Sequence, residues 1–340
     1  MNLPTATLGT TAMDLTRVGF GAWAVGGGGW KFGWGQQDDQ ESISAMRHAV
    51  ASGINWIDTA PVYGLGRSEE IVGRALRQMS ESERPYVFTK CGLSFDPARP
   101  DEGPWNVMAA ASVRRELESS LRRLGLERID LYQVHWPPED GTPLEDYWET
   151  MLELKRSGLV RAIGLSNHDE QQLTRAESLG HVDSLQPPFS MIHRDAGAGL
   201  LQRCAAQRTG AIVYSPMQSG LLTGAMSEAR IQSLPEDDWR RTHEDFTGES
   251  GRRNLALADA LQPIAERHAV APGAVAIAWT LCWPGLTGAI VGARSPAQVD
   301  GWLPAASLAL EDEDIAELAT MIERTRAGSG PLAADSHDAS

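Results

Sequence analysis

The stretch Ile54-Asn55-Trp56-Ile57-Asp58-Thr59-Ala60-Pro61-Val62-Tyr63, closed by Gly64, decides how the rest of the chain is read. A short apolar run ends abruptly in a carboxylate, and a phenol follows five residues later on a turn of small residues and proline. Buried strands read as apolar runs of this length. Asp58 therefore falls at the C-terminal end of a strand, with Tyr63 on the loop beyond. In parallel α/β proteins that is the end where chemistry gathers.

Working outward, the same pattern recurs. Apolar runs at 18–22, 54–58, 86–90, 129–135, 160–166, 182–186, 211–215 and 288–292 alternate with amphipathic segments. One such segment, 107–124, carries Val113, Leu117, Leu121 and Leu124 on a single helical face. Eight strand–helix units in this length predict a closed (β/α)8 TIM barrel, with extra C-terminal helices near 296–303 and 312–326. Residues 6–19 read as an N-terminal β-hairpin, and 1–326 as a single domain. Asp38 and Asp39 are candidate caps for a helix over 40–51. Residues 225–250 are polar and aperiodic apart from Trp239 and Phe246, a long loop or lid. The small, polar tail 327–340 reads as disordered. An open doubly wound sheet would show a dinucleotide fingerprint after an early strand. The glycine-rich stretch 25–35 has neither that spacing nor a Walker lysine.

Bulk properties narrow the function. A formal net charge of −15 over 340 residues lacks the positive footprint that nucleic acid requires. No apolar run is long enough for a membrane span, and no secretion signal opens the chain. Cys91, Cys204 and Cys282 form neither a metal spacing nor a disulfide framework, which suits a reducing compartment, the cytoplasm.

Polar residues then recur at the strand ends: Asp58, Lys90, His135, Ser166, Gln186 and Tyr214. Singly, each has a plainer reading: a loop-capping Asp, a half-buried Tyr, a solvated Lys, a satisfied core His. On successive strand ends of one face they suggest a site. A nearby ammonium lowers a phenol's pKa, so Lys90, held by Asp58, would tune Tyr63 to exchange a proton with an alkoxide. His135 would be a second donor at a carbonyl oxygen. Such an apparatus suits carbonyl reduction by hydride. It suits hydrolysis badly, since no activated Ser or Cys accompanies His135. A metal-dependent isomerase or hydrolase would need more clustered His, Asp and Glu ligands, and no metal is expected.

The sequence resembles the aldo-keto reductases from about residue 6 to 326. The resemblance rests on residues 53–64, on Phe88-Thr89-Lys90, and on Leu131-Tyr132-Gln133-Val134-His135-Trp136-Pro137. It continues through Gly164-Leu165-Ser166-Asn167, Tyr214-Ser215-Pro216-Met217, Gly220-Leu221-Leu222-Thr223-Gly224 and Ile290-Val291-Gly292-Ala293-Arg294. It implies a catalytic tetrad of Asp58, Tyr63, Lys90 and His135, and a nicotinamide dinucleotide extended across the strand ends. Ser166, Asn167 and Gln186 would hold the carboxamide, and Tyr214 would stack on the ring. Residues 215–224, with Ser215, Pro216, Met217, Gly220 and Leu222, would cover the pyrophosphate. Gly292, Arg294, Ser295, Gln298 and Trp302 fall at the adenosine end.

Arg294 can fork onto a 2′-phosphate, so NADP(H) is favoured over NAD(H). The chain departs from a familiar family pattern at Gln298, where a basic residue is usual, and at Gly301-Trp302, where a Glu-Asn pair is usual. Trp23, Trp30, Trp34 and Trp136, beside Tyr63, are candidates for an aromatic substrate pocket, with Phe95, Trp239 or Phe246 from mobile loops. Such a pocket favours a carbonyl or alcohol substrate with an apolar or ring face. A regulatory subunit that keeps the nucleotide site while serving a partner is the alternative from another class. Substrate identity, cellular direction and oligomeric state are not legible in the sequence.

Overall fold

The computed structural model of the chain describes residues 3–236 and 238–334. It opens with an antiparallel hairpin, β1 (Thr5–Thr7) and β2 (Asp14–Thr16). Three barrel strands follow, β3 (Val18–Gly21), β4 (Trp56–Asp58) and β5 (Tyr86–Cys91), and then a small surface pair, β6 (Leu93–Ser94) with β7 (Trp105–Asn106). The remaining barrel strands are β8 (Ile129–Val134), β9 (Val160–Ser166), β10 (Ser184–Gln186), β11 (Gly210–Tyr214) and β12 (Leu286–Gly292). All eight barrel strands pair in parallel, and β12 closes onto β3 through Ala289↔Val18 and Gly292↔Gly21.

Helices α1 (Asp39–Ala51), α2 (Arg67–Leu76), α3 (Ala110–Leu124), α4 (Leu144–Arg156), α5 (Glu170–Leu179) and α6 (Leu200–Gln207) follow β3, β4, β5/β7, β8, β9 and β10 in turn. Between β11 and β12 run α7 (Glu228–Gln232), α8 (Gly248–Ala260), α9 (Gln262–Arg267) and α10 (Pro272–Leu281). Helices α11 (Pro296–Trp302) and α12 (Asp312–Thr325) complete the ring. The predicted barrel, hairpin and extra C-terminal helices are all present. No helix among the described residues is long and apolar enough to cross a membrane.

Strand periodicity positions the site. Successive side chains alternate between the lumen and the helices. One apolar cluster joins Trp56, Phe88, Leu131, Ala162, Ile212 and Ile290 with Leu8, Met13 and Leu15 of the hairpin region. The hairpin thus plugs the N-terminal end of the lumen. Trp56 fills that floor and donates to Thr16 O at 2.8 Å. A Cβ on Gly19 would stand 2.1 Å from its indole, so only glycine fits there. Two residues further along the same strands come Asp58, Lys90, Gln133 and Tyr214. An apolar floor thus alternates up to a polar rim. The outward-facing residues of the strands pack against the helices in a second, larger core.

Three local readings differ from the structure. Asp38 alone caps α1, accepting from Glu41 N at 2.8 Å, while Asp39 pairs with Arg67 and Arg74. The 225–250 segment contains α7, capped by Ser227, and a 3-10 turn over Trp239–Arg241, and α8 begins within it at Gly248. Elements this short fall below the window in which helical periodicity shows. The tail is held as far as residue 331: Ser329 N donates to Ile192 O, and buried Arg194 donates to Ala327 O, Gly330 O and Pro331 O. Residues 335–340 lie outside the described residues.

Candidate active site

The inward-facing rim converges on one lysine. Lys90 Nζ lies 2.5 Å from Asp58 Oδ1, 3.0 Å from Thr59 O and 3.4 Å from the Tyr63 hydroxyl. Lys90 and Asp58 are both buried, which is tolerable for ions only when they are paired and hydrogen-bonded. The second Asp58 oxygen accepts from Gln186 Nε2 at 3.0 Å and Gln133 Nε2 at 3.4 Å, and Gln186 also donates to Gln133 Oε1. Gln133 lies within a strand and reads there as core, so sequence patterns do not single it out. Its one signal is register: it stands two residues before His135.

Tyr63 reaches this group because two loops press together. A Cβ on Gly64 would stand 2.3 Å from Gly26 O, and one on Gly26 2.7 Å from Gly64 N. Glycine at both positions allows the contact, and Gly64 has φ +63° besides. Trp23 then stacks on Tyr63 with ring centres 6.1 Å apart, and His135 meets Tyr63 edge-on at 5.7 Å.

The electrostatics reverse one expectation. Burial, and then the Asp58 charge, push the Tyr63 phenol well above its ordinary value, although Lys90 lies close by. Lys90 is itself lowered by burial, against the opposing pull of Asp58. His135 is held well below its usual range by burial and by Lys90, so its imidazole is neutral at pH 7. Tyr63 is consequently protonated at neutral pH in this structure.

The strand ends of β9 to β11 form a second hydrogen-bonded set. Asn167, in a left-handed conformation with φ +61°, donates to His135 O at 2.9 Å and to Ser166 Oγ at 3.1 Å. Its Oδ1 accepts from Tyr214 OH at 2.8 Å, and Ser166 Oγ donates to Gln186 O at 2.9 Å. Beyond Tyr214 the chain turns tightly through Ser215, Gln218, Ser219 and Gly220, all with positive φ. Strained backbone of this kind clusters at ligand sites.

A single cavity of about 790 Å³ is lined by Tyr63, His135, Ser166, Asn167, Gln186 and Tyr214 at one end, and by Gly292, Arg294, Gln298 and Trp302 at the other. Ser215, Pro216, Met217 and Gly220 line it between them, and Trp23, Trp30, Trp34 and Trp136 form its aromatic mouth. Phe32, Leu93 and Asn106 join that mouth without a sequence signal, two of them from the unpredicted β6–β7 pair.

Several expected residues stand elsewhere. Leu222 is fully buried in the outer core, because its turn directs it away from the cavity. Trp239 backs Trp23 in a stack at 6.0 Å, with Phe246 buried behind it, and Phe95 packs beside the mouth. Ser295 caps α11 by accepting from Gln298 N at 3.4 Å. Arg294 is not an open fork, since its guanidinium donates to Gln37 Oε1, Trp34 O and Gln36 O.

The structure is a closed (β/α)8 barrel with a buried Asp58–Lys90 pair and Tyr63 against His135 at the C-terminal ends of its strands. The Aldo/keto reductase family model matches residues 17–323. The chain is 33% identical to aldo-keto reductase YhdN of Bacillus subtilis over 93% of this chain and 92% of that one. It is also 33% identical to the NADH-specific methylglyoxal reductase of Escherichia coli, over 93% and 98%. Among solved structures, a glycerol dehydrogenase from Gluconobacter oxydans superposes with a TM-score of 0.85 at 33% identity, covering 96% of this chain and 97% of that one. The chain belongs to the aldo/keto reductase family, and it is an oxidoreductase of that type.

Proposed function

We propose that the protein reversibly interconverts a carbonyl compound and its alcohol with a nicotinamide dinucleotide, NADP(H) favoured and NAD(H) accepted. The observation that carries this reading is Lys90 Nζ, held between Asp58 and the Tyr63 hydroxyl at the base of a cavity long enough to run on to Trp302. The donor set suits the nucleotide. Ser166 Oγ, Asn167 Oδ1 and Gln186 Oε1 offer acceptors to a carboxamide, their own O–H and N–H groups being engaged within the site, and Tyr214 offers a ring fixed by its bond to Asn167. At the far end, the buried indole N–H of Trp302 finds no acceptor among the described residues, as a donor awaiting a ligand would.

When bound, the nicotinamide supplies or accepts the hydride. His135, neutral, donates to the substrate oxygen and orients it. Tyr63, protonated, gives its proton to the oxygen as negative charge develops there, and Lys90 steadies the phenolate left behind. Asp58 keeps Lys90 charged, and Gln133 and Gln186 occupy the oxygen of Asp58 that Lys90 leaves free. In the oxidising direction Tyr63 takes the proton back. The names of two relatives, a methylglyoxal reductase and a glycerol dehydrogenase, cover one direction each. The four indoles at the mouth favour a small-molecule substrate with an apolar or ring face. Three unpaired cysteines support a cytoplasmic setting.

NADPH and NADH titrated separately against tryptophan fluorescence test the nucleotide site, and Tyr63→Phe tests the chemistry. The variant is expected to bind nucleotide nearly as well as wild type while turning over on the order of 10²–10⁴ more slowly, the usual worth of a general acid. Failure of both nucleotides to bind, or normal turnover in the variant, would sink the reading.

A further inference from the structure

Arg294 is gripped at both ends by one residue of the β3–α1 loop. Its Nε donates to Gln37 Oε1 at 2.6 Å, and Gln37 Nε2 donates back to the Arg294 carbonyl at 2.9 Å. Arg294 Nη1 donates to Trp34 O at 3.1 Å and Nη2 donates to Gln36 O, so every nitrogen of the guanidinium already serves this loop. Gln37 is itself rigidly placed. It is 9% exposed, its Nε2 also reaches Ser42 Oγ at 3.0 Å, and Arg67 donates to its carbonyl at 2.8 Å. The clamp stands at the adenosine end of the cavity, while the loop it holds carries Trp30 and Trp34 into the mouth.

We infer that Gln37 is a specificity-determining residue: its clamp on Arg294 sets how strongly the protein prefers a nucleotide bearing a 2′-phosphate. This rests on the nucleotide site proposed above. The clamp takes three of the five N–H groups of Arg294, Nε among them, so while it stands a 2′-phosphate finds no bidentate fork through Nε. The phosphate-bearing nucleotide therefore gains its full contact only in molecules whose clamp has opened. Its apparent affinity falls by the fraction of molecules in that state. A nucleotide without the phosphate makes no such demand. The clamp thus narrows the advantage of NADPH over NADH that a free arginine would confer, and it couples phosphate recognition to the loop at the substrate mouth.

The test measures dissociation constants of NADPH, NADH, 2′,5′-ADP and 5′-ADP for wild type and Gln37→Ala. The variant is expected to bind NADPH and 2′,5′-ADP on the order of tenfold tighter, the worth of one charge-assisted hydrogen bond, with the other two nearly unchanged. Looser NADPH binding would mean that Gln37 presents Arg294 to the phosphate, and an equal change in all four would mean a general effect on the cleft. Either overturns the inference. Should the variant fail to fold, hydrogen exchange on the wild type decides. The Gly33 and Trp34 amides, bonded to Trp30 O and Gly27 O, are expected to exchange faster with 2′,5′-ADP bound and not with 5′-ADP. Unchanged or slower exchange with bound 2′,5′-ADP overturns the clamp. If wild type binds neither NADPH nor NADH, the proposed function falls and this inference with it. If both bind and the Gln37→Ala ratio is unmoved, only the inference falls.

Discussion

Tyr63 holds its proton across the neutral range because burial and Asp58 outweigh the pull of Lys90. His135 is neutral over the same range for a related reason, burial beside a cation. Between a His135 value displaced well below 6.5 and a Tyr63 value displaced well above 10.0, both groups stand in the state that carbonyl reduction needs. Initial-rate profiles of kcat should therefore be level for reduction across that window. Alcohol oxidation needs the phenolate, so its rate should climb steadily with pH. Reduction that falls away already between about pH 7 and 8 would mean that Tyr63 titrates much lower than its burial dictates.

Helix α3 holds the turn that leads from β5, the strand of Lys90, toward the aromatic mouth of the cavity. Glu116 on α3 accepts from Gly92 N at 2.9 Å and from Ser112 Oγ at 3.3 Å, and burial raises its carboxyl to about 7. The sign follows from linkage. A carboxyl whose folded pKa is raised binds its proton more tightly in the folded state. Its stabilising effect is complete below the unfolded value near 4.5 and is lost as pH rises through about 7. Glu116→Gln keeps an acceptor for Gly92 without the charge. It should raise stability at alkaline pH by about 2 kcal/mol and leave it nearly unchanged at pH 5, by thermal melting at both. A melting temperature lowered equally at both pH values would show that the second acceptor oxygen matters more than the buried charge.

The whole molecule is tied together beyond its last helix. Arg194, 3% exposed, sits in the segment after β10 and donates to Met191 O and to the carbonyls of Ala327, Gly330 and Pro331. A chain ended after Arg326 would leave most of that guanidinium buried without acceptors. The loss should be about 3 kcal/mol, from hydrogen bonds to a charged group left unmade. Denaturant unfolding should show it, while nucleotide affinity stays within a few-fold because Arg194 lies off the cavity. Unchanged stability would mean that water replaces the strap at no cost.

The sequence alone determined the eight-strand barrel and the placing of Asp58, Lys90, His135, Ser166, Gln186 and Tyr214 at one rim. Both are written in neighbouring residues: an apolar run of strand length, a polar end, a helical period after it. Only the tertiary structure decided what depends on groups meeting through space. Gln133 is a core residue by pattern and becomes a partner of Asp58 only when the barrel closes. Arg294 reads as a free fork until Gln37, 257 residues earlier, is folded against it. The protonation state of Tyr63 turns on desolvation, which has no local signature, and the Leu222 side chain packs into the outer core, away from the cavity, because of its turn. Periodicity is a property of adjacent residues, whereas burial and long-range hydrogen bonds belong to the packed molecule.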